Sequence, residues 1–299
     1  MPQSLQKILF AINPSSGGKN KVDWEAGIRE YFKDSQHNIE TFLLDGANDK
    51  TSLQYWIEQL HPDKVVAVGG DGTAKQIAEQ LLKTNIALGI LPAGSSNGMA
   101  TELQIPGDNV NAALDIIANG KIKLIDVISL NEDDISLHLS DIGLNADLVK
   151  YAKVNQWKGK LGYLRGAVRM LTKKKLMKAE IRMPDRVEKR ECFMIVLANA
   201  KTYGTGAIIN PDGKLNDGLF EVIVVKRISF FELIKMFWKK KGFNAKKVEI
   251  FKTPSVDIQI NRKMNFQVDG EYCGKINSVS AKLMKQQLNV IVPAATESI

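Results

Sequence analysis

The sequence predicts an α/β domain over residues 1–125, followed by a mainly antiparallel β domain over residues 126–285. Three observations carry that reading. In the first part, short apolar runs alternate with amphipathic stretches, the signature of a parallel sheet covered by helices. Three of those runs end in loops rich in Gly and Ser. Beyond about Asp126 the helical spacing gives way to β-rich segments divided by turn residues.

Taken in order, Ile8-Leu9-Phe10-Ala11-Ile12 is a buried-strand run that stops at Asn13-Pro14-Ser15-Ser16-Gly17-Gly18, a loop by composition. Val65-Val66-Ala67-Val68 is a second, stopping at Gly69-Gly70-Asp71-Gly72-Thr73. Ile86-Ala87-Leu88-Gly89-Ile90-Leu91 is a third, stopping at Pro92-Ala93-Gly94-Ser95-Ser96-Asn97-Gly98. Between the last two, Ala74, Ile77, Ala78, Leu81 and Leu82 recur at helical spacing. In open parallel sheets ligands bind at the carboxyl ends of strands, where all three loops fall. In the second part, residues 192–198, 219–225, 255–260 and 264–268 read as strands, and residues 288–292 as one more.

Composition narrows the function. Of 299 residues, 44% are hydrophobic and 25% charged, as in an ordinary globular protein. The opening residues lack the apolar stretch of a secretory signal, and no apolar run approaches the ~18 residues of a membrane span. The expectation is a cytoplasmic protein with peripheral membrane contact. Cys192 and Cys273 are the only cysteines, without the spacing of a zinc site, and the three histidines are scattered. Any metal should therefore be a hard, oxygen-bound ion such as Mg²⁺. The net charge of +8 is unevenly spread: residues 153–190 carry +10 and residues 226–252 carry +7, leaving −9 for the remainder. Two basic segments suit an anionic partner. Within the second, Ile228-Ser229-Phe230-Phe231-Glu232-Leu233-Ile234-Lys235-Met236-Phe237-Trp238-Lys239-Lys240-Lys241 joins aromatic groups to lysines, as an anionic membrane interface prefers. A helix packed on its own domain fits it equally well. No recognition-helix pattern or aromatic-studded strand supports nucleic-acid binding.

Chemistry concentrates in the loops. In Gly69-Gly70-Asp71-Gly72-Thr73 the glycines permit a tight turn, and amides entering a helix make a phosphate nest. Bare phosphate would repel Asp71, so a bridging magnesium or a proton-accepting role is expected; the plainer alternative is a helix cap. No P-loop pattern occurs. Three such loops together favour a nucleotide site. Asp269-Gly270-Glu271 follows a strand and could supply a proton acceptor, or be a plain hairpin turn. Residues 210–219 form a polar double turn that could hold a cation through oxygen.

At these motifs the sequence resembles the diacylglycerol kinase catalytic-domain family, which includes bacterial lipid kinases and sphingosine kinases. Asn13-Pro14-Ser15-Ser16-Gly17-Gly18-Lys19 is similar to its opening motif, Val68-Gly69-Gly70-Asp71-Gly72-Thr73 to its signature loop, and Gly89 to Asn97 to its third. The resemblance spans nearly the whole chain. It implies an NAD-kinase-like nucleotide-binding α/β domain and a C-terminal β-sandwich, with residues 286–299 returning to the first. It also implies ATP and Mg²⁺ as cofactors and transfer of the γ-phosphate to the hydroxyl of a membrane lipid, such as diacylglycerol or a sphingoid base. Asn13, Ser16, Gly17, Gly69, Gly70, Asp71, Gly72, Thr73, Gly94, Ser95 and Asn97 would serve ATP, with Asp71 near the magnesium. Asp269 and Glu271 match the motif that supplies the proton acceptor. Asp217 would ligate a structural magnesium with the carbonyls of Lys214 and Leu219. Gly98 departs from the Asp of many bacterial members, and Gly94-Ser95-Ser96-Asn97 stands closer to the sphingosine kinases. Asn216 replaces an Asp of some relatives. A homodimer is compatible with this reading. The alternatives are phosphorylation of a soluble acceptor, as by NAD kinases that share the signature loop, and a non-catalytic lipid- or nucleotide-binding regulator.

Overall fold

The computed structural model describes residues 5–16, 23–94, 97–143, 146–147, 176–202, 208–226 and 247–296. Gly17, Ser95 and most of both basic segments, including residues 228–241, lie outside them. The chain divides into two compact units, Met1–Ile125 with Gln286–Ile299, and Asp126–Lys285.

The first unit is an open parallel sheet with helices. Its strands are β1 (Lys7–Ile12), β2 (Asn38–Leu43), β3 (Lys64–Gly69) and β4 (Ala87–Pro92). Its helices are α1 (Trp24–Phe32), α2 (Asp49–Leu60), α3 (Asp71–Leu81), α4 (Gly98–Glu102) and α5 (Val110–Asn119). β3 and β4 are buried along their whole length, which is why they read as unbroken apolar runs rather than alternating ones. Helix starts follow local chemistry: Asp23 and Asn109 accept from the amides of Ala26 and Ala112, capping α1 and α5. Lys64 is buried on β3, and its ammonium donates to the carbonyls of Ile117 (2.7 Å) and Ala118 (3.0 Å) at the end of α5. Burial there pulls the lysine below its ordinary pKa.

The strand order is β2-β1-β3-β4, every neighbouring pair parallel, with residues 289–290 pairing parallel to β4 on the far side. From β1 the chain steps outward to β2 and then returns to lay β3 on β1's other flank. The order therefore reverses between β1 and β3, and that switch point places the ligand crevice in sheets of this kind.

The second unit is built from antiparallel strands. They are β5 (Lys121–Leu130), which enters from the first unit, β6 (Asp134–Ser136), β7 (Leu139–Gly143), β8 (Met177–Met183), β9 (Arg186–Cys192) and β10 (Met194–Ala198). After them come β11 (Phe220–Val225), β12 (Val248–Thr253), β13 (Ser255–Val268) and β14 (Glu271–Val292), whose last residues belong to the first unit. One run of neighbours is β12-β11-β10-β7-β13-β14, while β8 and β9 extend from β13. The expected separate strands at residues 255–260 and 264–268 are one continuous β13. A register irregularity between Gln259 and Met264 lets its first part pair with β8 and its last part with β7. Between the layers lies an apolar core that includes Ile181, Ile195, Phe220, Val222, Ile258 and Phe266. Cys192 is buried there, and desolvation pushes its thiol up to about 12, so it behaves as a small hydrophobe. Cys273 is exposed. No helix among the described residues is long and apolar enough to cross a membrane.

Candidate functional site

In the first unit, the loops after β1, β3 and β4 are bonded to one another. Asn13 donates through Nδ2 to Thr73 Oγ1 (3.0 Å), spanning the switch point, while its Oδ1 accepts from Ser15 N (2.9 Å). Its backbone amide donates to Val68 O (2.9 Å), and its carbonyl accepts from Ser16 N (3.1 Å). One asparagine thus shapes its own turn and attaches it to the next loop.

The second and third loops come closer still. A Cβ built on Gly94 would stand 2.5 Å from the Cα of Gly70, so only glycine permits the approach. Gly69 is equally confined, because a Cβ there would meet Thr73 Cβ at 2.5 Å. Ala93 N donates to Gly69 O (2.9 Å). Asn97 closes its loop by accepting from Gly94 N (2.9 Å) and donating to Gly94 O (3.0 Å).

Asp71 begins α3 but does not cap it. The cap is Gly70, which offers α3 no side-chain bond. The Asp71 carboxylate reaches to the third loop, where Oδ2 accepts from Gly98 N and Oδ1 from Met99 N, both at 2.9 Å. It thereby caps α4, a helix 27 residues on, rather than the one it precedes. Gly72 lies in the first turn of α3, and Thr73 is buried beside it.

In the second unit, Asp269 and Gly270 have φ of 48° and 87° and form the two-residue turn between β13 and β14. Asp269 is buried, and Glu271 is exposed at the first position of β14. The Asp269 carboxylate accepts four hydrogen bonds. Ser136 Oγ (2.9 Å), His138 N (3.0 Å) and Leu139 N (3.0 Å) go to Oδ1, and Leu137 N (2.8 Å) to Oδ2. A carboxylate has about four acceptor sites, so this cage fills it. Nothing in residues 136–139 marks them in the sequence as the partners of a group some 130 positions away.

The third group of candidate residues lies on the turn before β11. Asp217 is exposed, and its Oδ1 accepts from Leu219 N (3.1 Å). Buried groups hold this turn from behind. Asp126 N donates to Leu215 O (2.7 Å), and Asp126 Oδ2 accepts from Gly218 N (2.8 Å). Glu221 Oε2 accepts from Asn210 Nδ2 (2.6 Å), and its Oε1 lies 3.3 Å from Lys252 Nζ. Burial raises the Glu221 carboxyl above its ordinary range, although Asn210 and Lys252 oppose the shift. Asp126 and Glu221 escaped sequence reasoning, since an isolated acid within a strand carries no signal of its own. No cluster of three or more His, Cys, Asp or Glu occurs among the described residues. The donors that Lys214, Asp217 and Leu219 could present are all oxygen, one of them a carboxylate, which fits Mg²⁺ completed by water.

Known proteins complete the picture. Residues 7–130 match the diacylglycerol kinase catalytic domain, and residues 140–292 match the YegS C-terminal NAD kinase beta sandwich-like domain. The chain belongs to the diacylglycerol kinase catalytic-domain family and has its two-domain fold, an α/β domain followed by a β-sandwich. Among curated relatives, a diacylglycerol kinase of Bacillus subtilis is 25% identical over 97% of both chains. A probable lipid kinase, YegS-like, of Pectobacterium atrosepticum is 28% identical over 88% of both. A crystal structure of a diacylglycerol kinase from Bacillus anthracis superposes with a TM-score of 0.71 at 20% identity, covering 98% of this chain and 99% of that one. Another structure from that organism reaches 0.81 at 21% identity over 99% and 100%. At this level the protein is a kinase of the lipid-kinase type.

Proposed function

We propose that this protein transfers the γ-phosphate of ATP to the hydroxyl of a membrane lipid, with diacylglycerol and sphingoid bases the first acceptors to try. The observation that carries the reading is the bonding of three Gly-rich loops into one surface at the switch point of a parallel sheet. Such a surface offers backbone amides to phosphates, and phosphoryl transfer asks chiefly for positioning and charge neutralisation.

In this reading the loops holding Asn13, Ser16, Gly17, Gly69 to Thr73, Gly94, Ser95 and Asn97 take the nucleotide. Mg²⁺, when bound at Asp71, would neutralise phosphate charge, and a second ion at Lys214, Asp217 and Leu219 would be structural. Glu271 is the better proton acceptor of the two candidates, because Asp269 already accepts four hydrogen bonds. The lipid oxygen attacks the γ-phosphorus as its proton passes to Glu271. The bond from that phosphorus to the bridging oxygen breaks, and ADP leaves with the electron pair. The basic segments in residues 153–190 and 226–252 would hold the protein peripherally on an anionic membrane.

The test is transfer of labelled γ-phosphate from ATP to a mixed lipid extract, with the product identified. A labelled phosphatidic acid or sphingoid phosphate is expected. Label passing instead to added NAD, giving labelled NADP, or no labelled lipid from folded, ATP-binding protein, would overturn the reading.

A further inference from the structure

Asp141 on β7 and Gln267 on β13 face each other in the ladder, and both are almost wholly buried. A polar pair in such a place is costly unless every group is bonded. Here the bonds run in one direction. Gln267 Nε2 donates to Asp141 Oδ2 and, at 3.4 Å, to Leu139 O. Its Oε1 accepts from Gly270 N at 2.7 Å. Asp141 Oδ1 accepts from Ala146 N at 2.8 Å.

The destination of that chain is the two-residue turn that presents Glu271. In such a turn the second residue's amide takes no part in the ladder, and Gln267 uses it. Asp269 is held by four donors and Gly270 by Gln267, so both turn residues are fixed from inside the domain. The next residue is Glu271, whose exposed side chain has no comparable burial to orient it. Its direction is inherited from the turn.

We infer that Asp141 and Gln267 are positioning residues for the phosphotransfer, with Asp141 setting the orientation of the Gln267 amide and Gln267 aiming the turn that carries Glu271. This rests on Glu271 being the proton acceptor. The direction of the amide is the crux. Asp141, being an acceptor only, obliges Gln267 to turn its NH₂ inward and its oxygen toward Gly270. In Asp141→Asn the new side chain would still accept from Ala146 with its oxygen but would show an NH₂ to Gln267. The glutamine would then flip and present its own NH₂ to the Gly270 amide. Gln267→Glu fails differently, by setting a second carboxylate against Asp141. The two changes together restore a matched pair, because the introduced amide could donate to one oxygen of the introduced carboxylate while Gly270 donates to the other.

The experiment is that double-mutant cycle on the full chain, read by lipid phosphorylation and by hydrogen exchange at the Gly270 amide. Asp141→Asn and Gln267→Glu should each lower kcat roughly 10-fold or more, a share of the ~10²–10⁴ that a general base supplies. KM for ATP should stay unchanged, and Gly270 should lose protection. The double variant should recover most of the kcat and of the protection. Single variants that keep wild-type kcat while only melting earlier would make the pair structural and overturn the inference. A double variant no better than its worse parent would do the same. Wild-type activity from Glu271→Gln, or no lipid phosphorylation by the wild type, would instead remove the reading beneath it, and the inference would fall with that reading. Exchange at Gly270 then still shows whether the amide direction was correct.

Discussion

Asp269 and Glu271 stand two residues apart in one turn, and substituting each should separate a structural anion from a proton acceptor. Asp269→Asn is nearly isosteric, and Asn accepts the positive φ of 48° as readily as Asp, so backbone strain does not confuse the result. The amide's best placement keeps its oxygen at the Oδ1 position, where three donors converge, and puts its NH₂ against Leu137 N. One charge-assisted bond worth about 1.5–3 kcal/mol is lost, and two buried donors face each other at about 1–3 kcal/mol. A total near 3–5 kcal/mol should lower the Tm of this unit by roughly 6–20 °C, at about 2–4 °C per kcal/mol for its size. Glu271→Gln, at an exposed position, should leave Tm within about 1 °C and reduce kcat about 10²–10⁴-fold. Calorimetry and steady-state lipid phosphorylation on the two variants provide the comparison. Asp269→Asn with native Tm and a kcat lowered about 100-fold, beside an active Glu271→Gln, would refute the assignment.

Three further predictions follow from the same geometry. Gly94→Ala should force the second and third loops apart at the 2.5 Å approach to Gly70. At about 1–3 kcal/mol for such overpacking, KM for ATP should rise roughly 10-fold or more, measurable by titrating ATP at saturating lipid. Glu221 should make stability fall as pH rises: its folded-state pKa is raised above 4.5, so the native protein binds the extra proton between the two values. The loss begins near the unfolded value and is complete above the folded one, and denaturant melts of Glu221→Gln across that window should lack it. Mg²⁺ should raise Tm of the nucleotide-free protein, and Asp217→Asn should abolish that rise; an equal rise in both would place the ion elsewhere.

Local features were legible in the chain because their causes are local. A wholly buried strand such as β3 must be mostly apolar, and at the turn into α3 a Cβ on Gly69 would meet the Thr73 side chain. The change from helical to alternating spacing after Asp126 marked the second architecture, and the order of motifs resembled one kinase family. The comparisons bear out that resemblance and fold. The bland alternative for Asp71, a cap on its own helix, had the right chemistry and the wrong helix. The carboxylate caps α4, and only the parallel placement of β3 beside β4 brings α4 within reach.

Tertiary structure decided everything that depends on strand order. Asn13 meets Thr73 across 60 residues because β1 and β3 are neighbours although β2 lies between them in the chain. Ser136 meets Asp269 across 133 residues because the turn after β13 folds onto the segment leading into β7. The same pairing sets Asp141 opposite Gln267. Residue type can show that a buried acid needs donors, but not which donors it finds. Those are chosen by non-local pairing, whose energy is spread over the whole sheet and leaves no mark on the short stretch of sequence that supplies them.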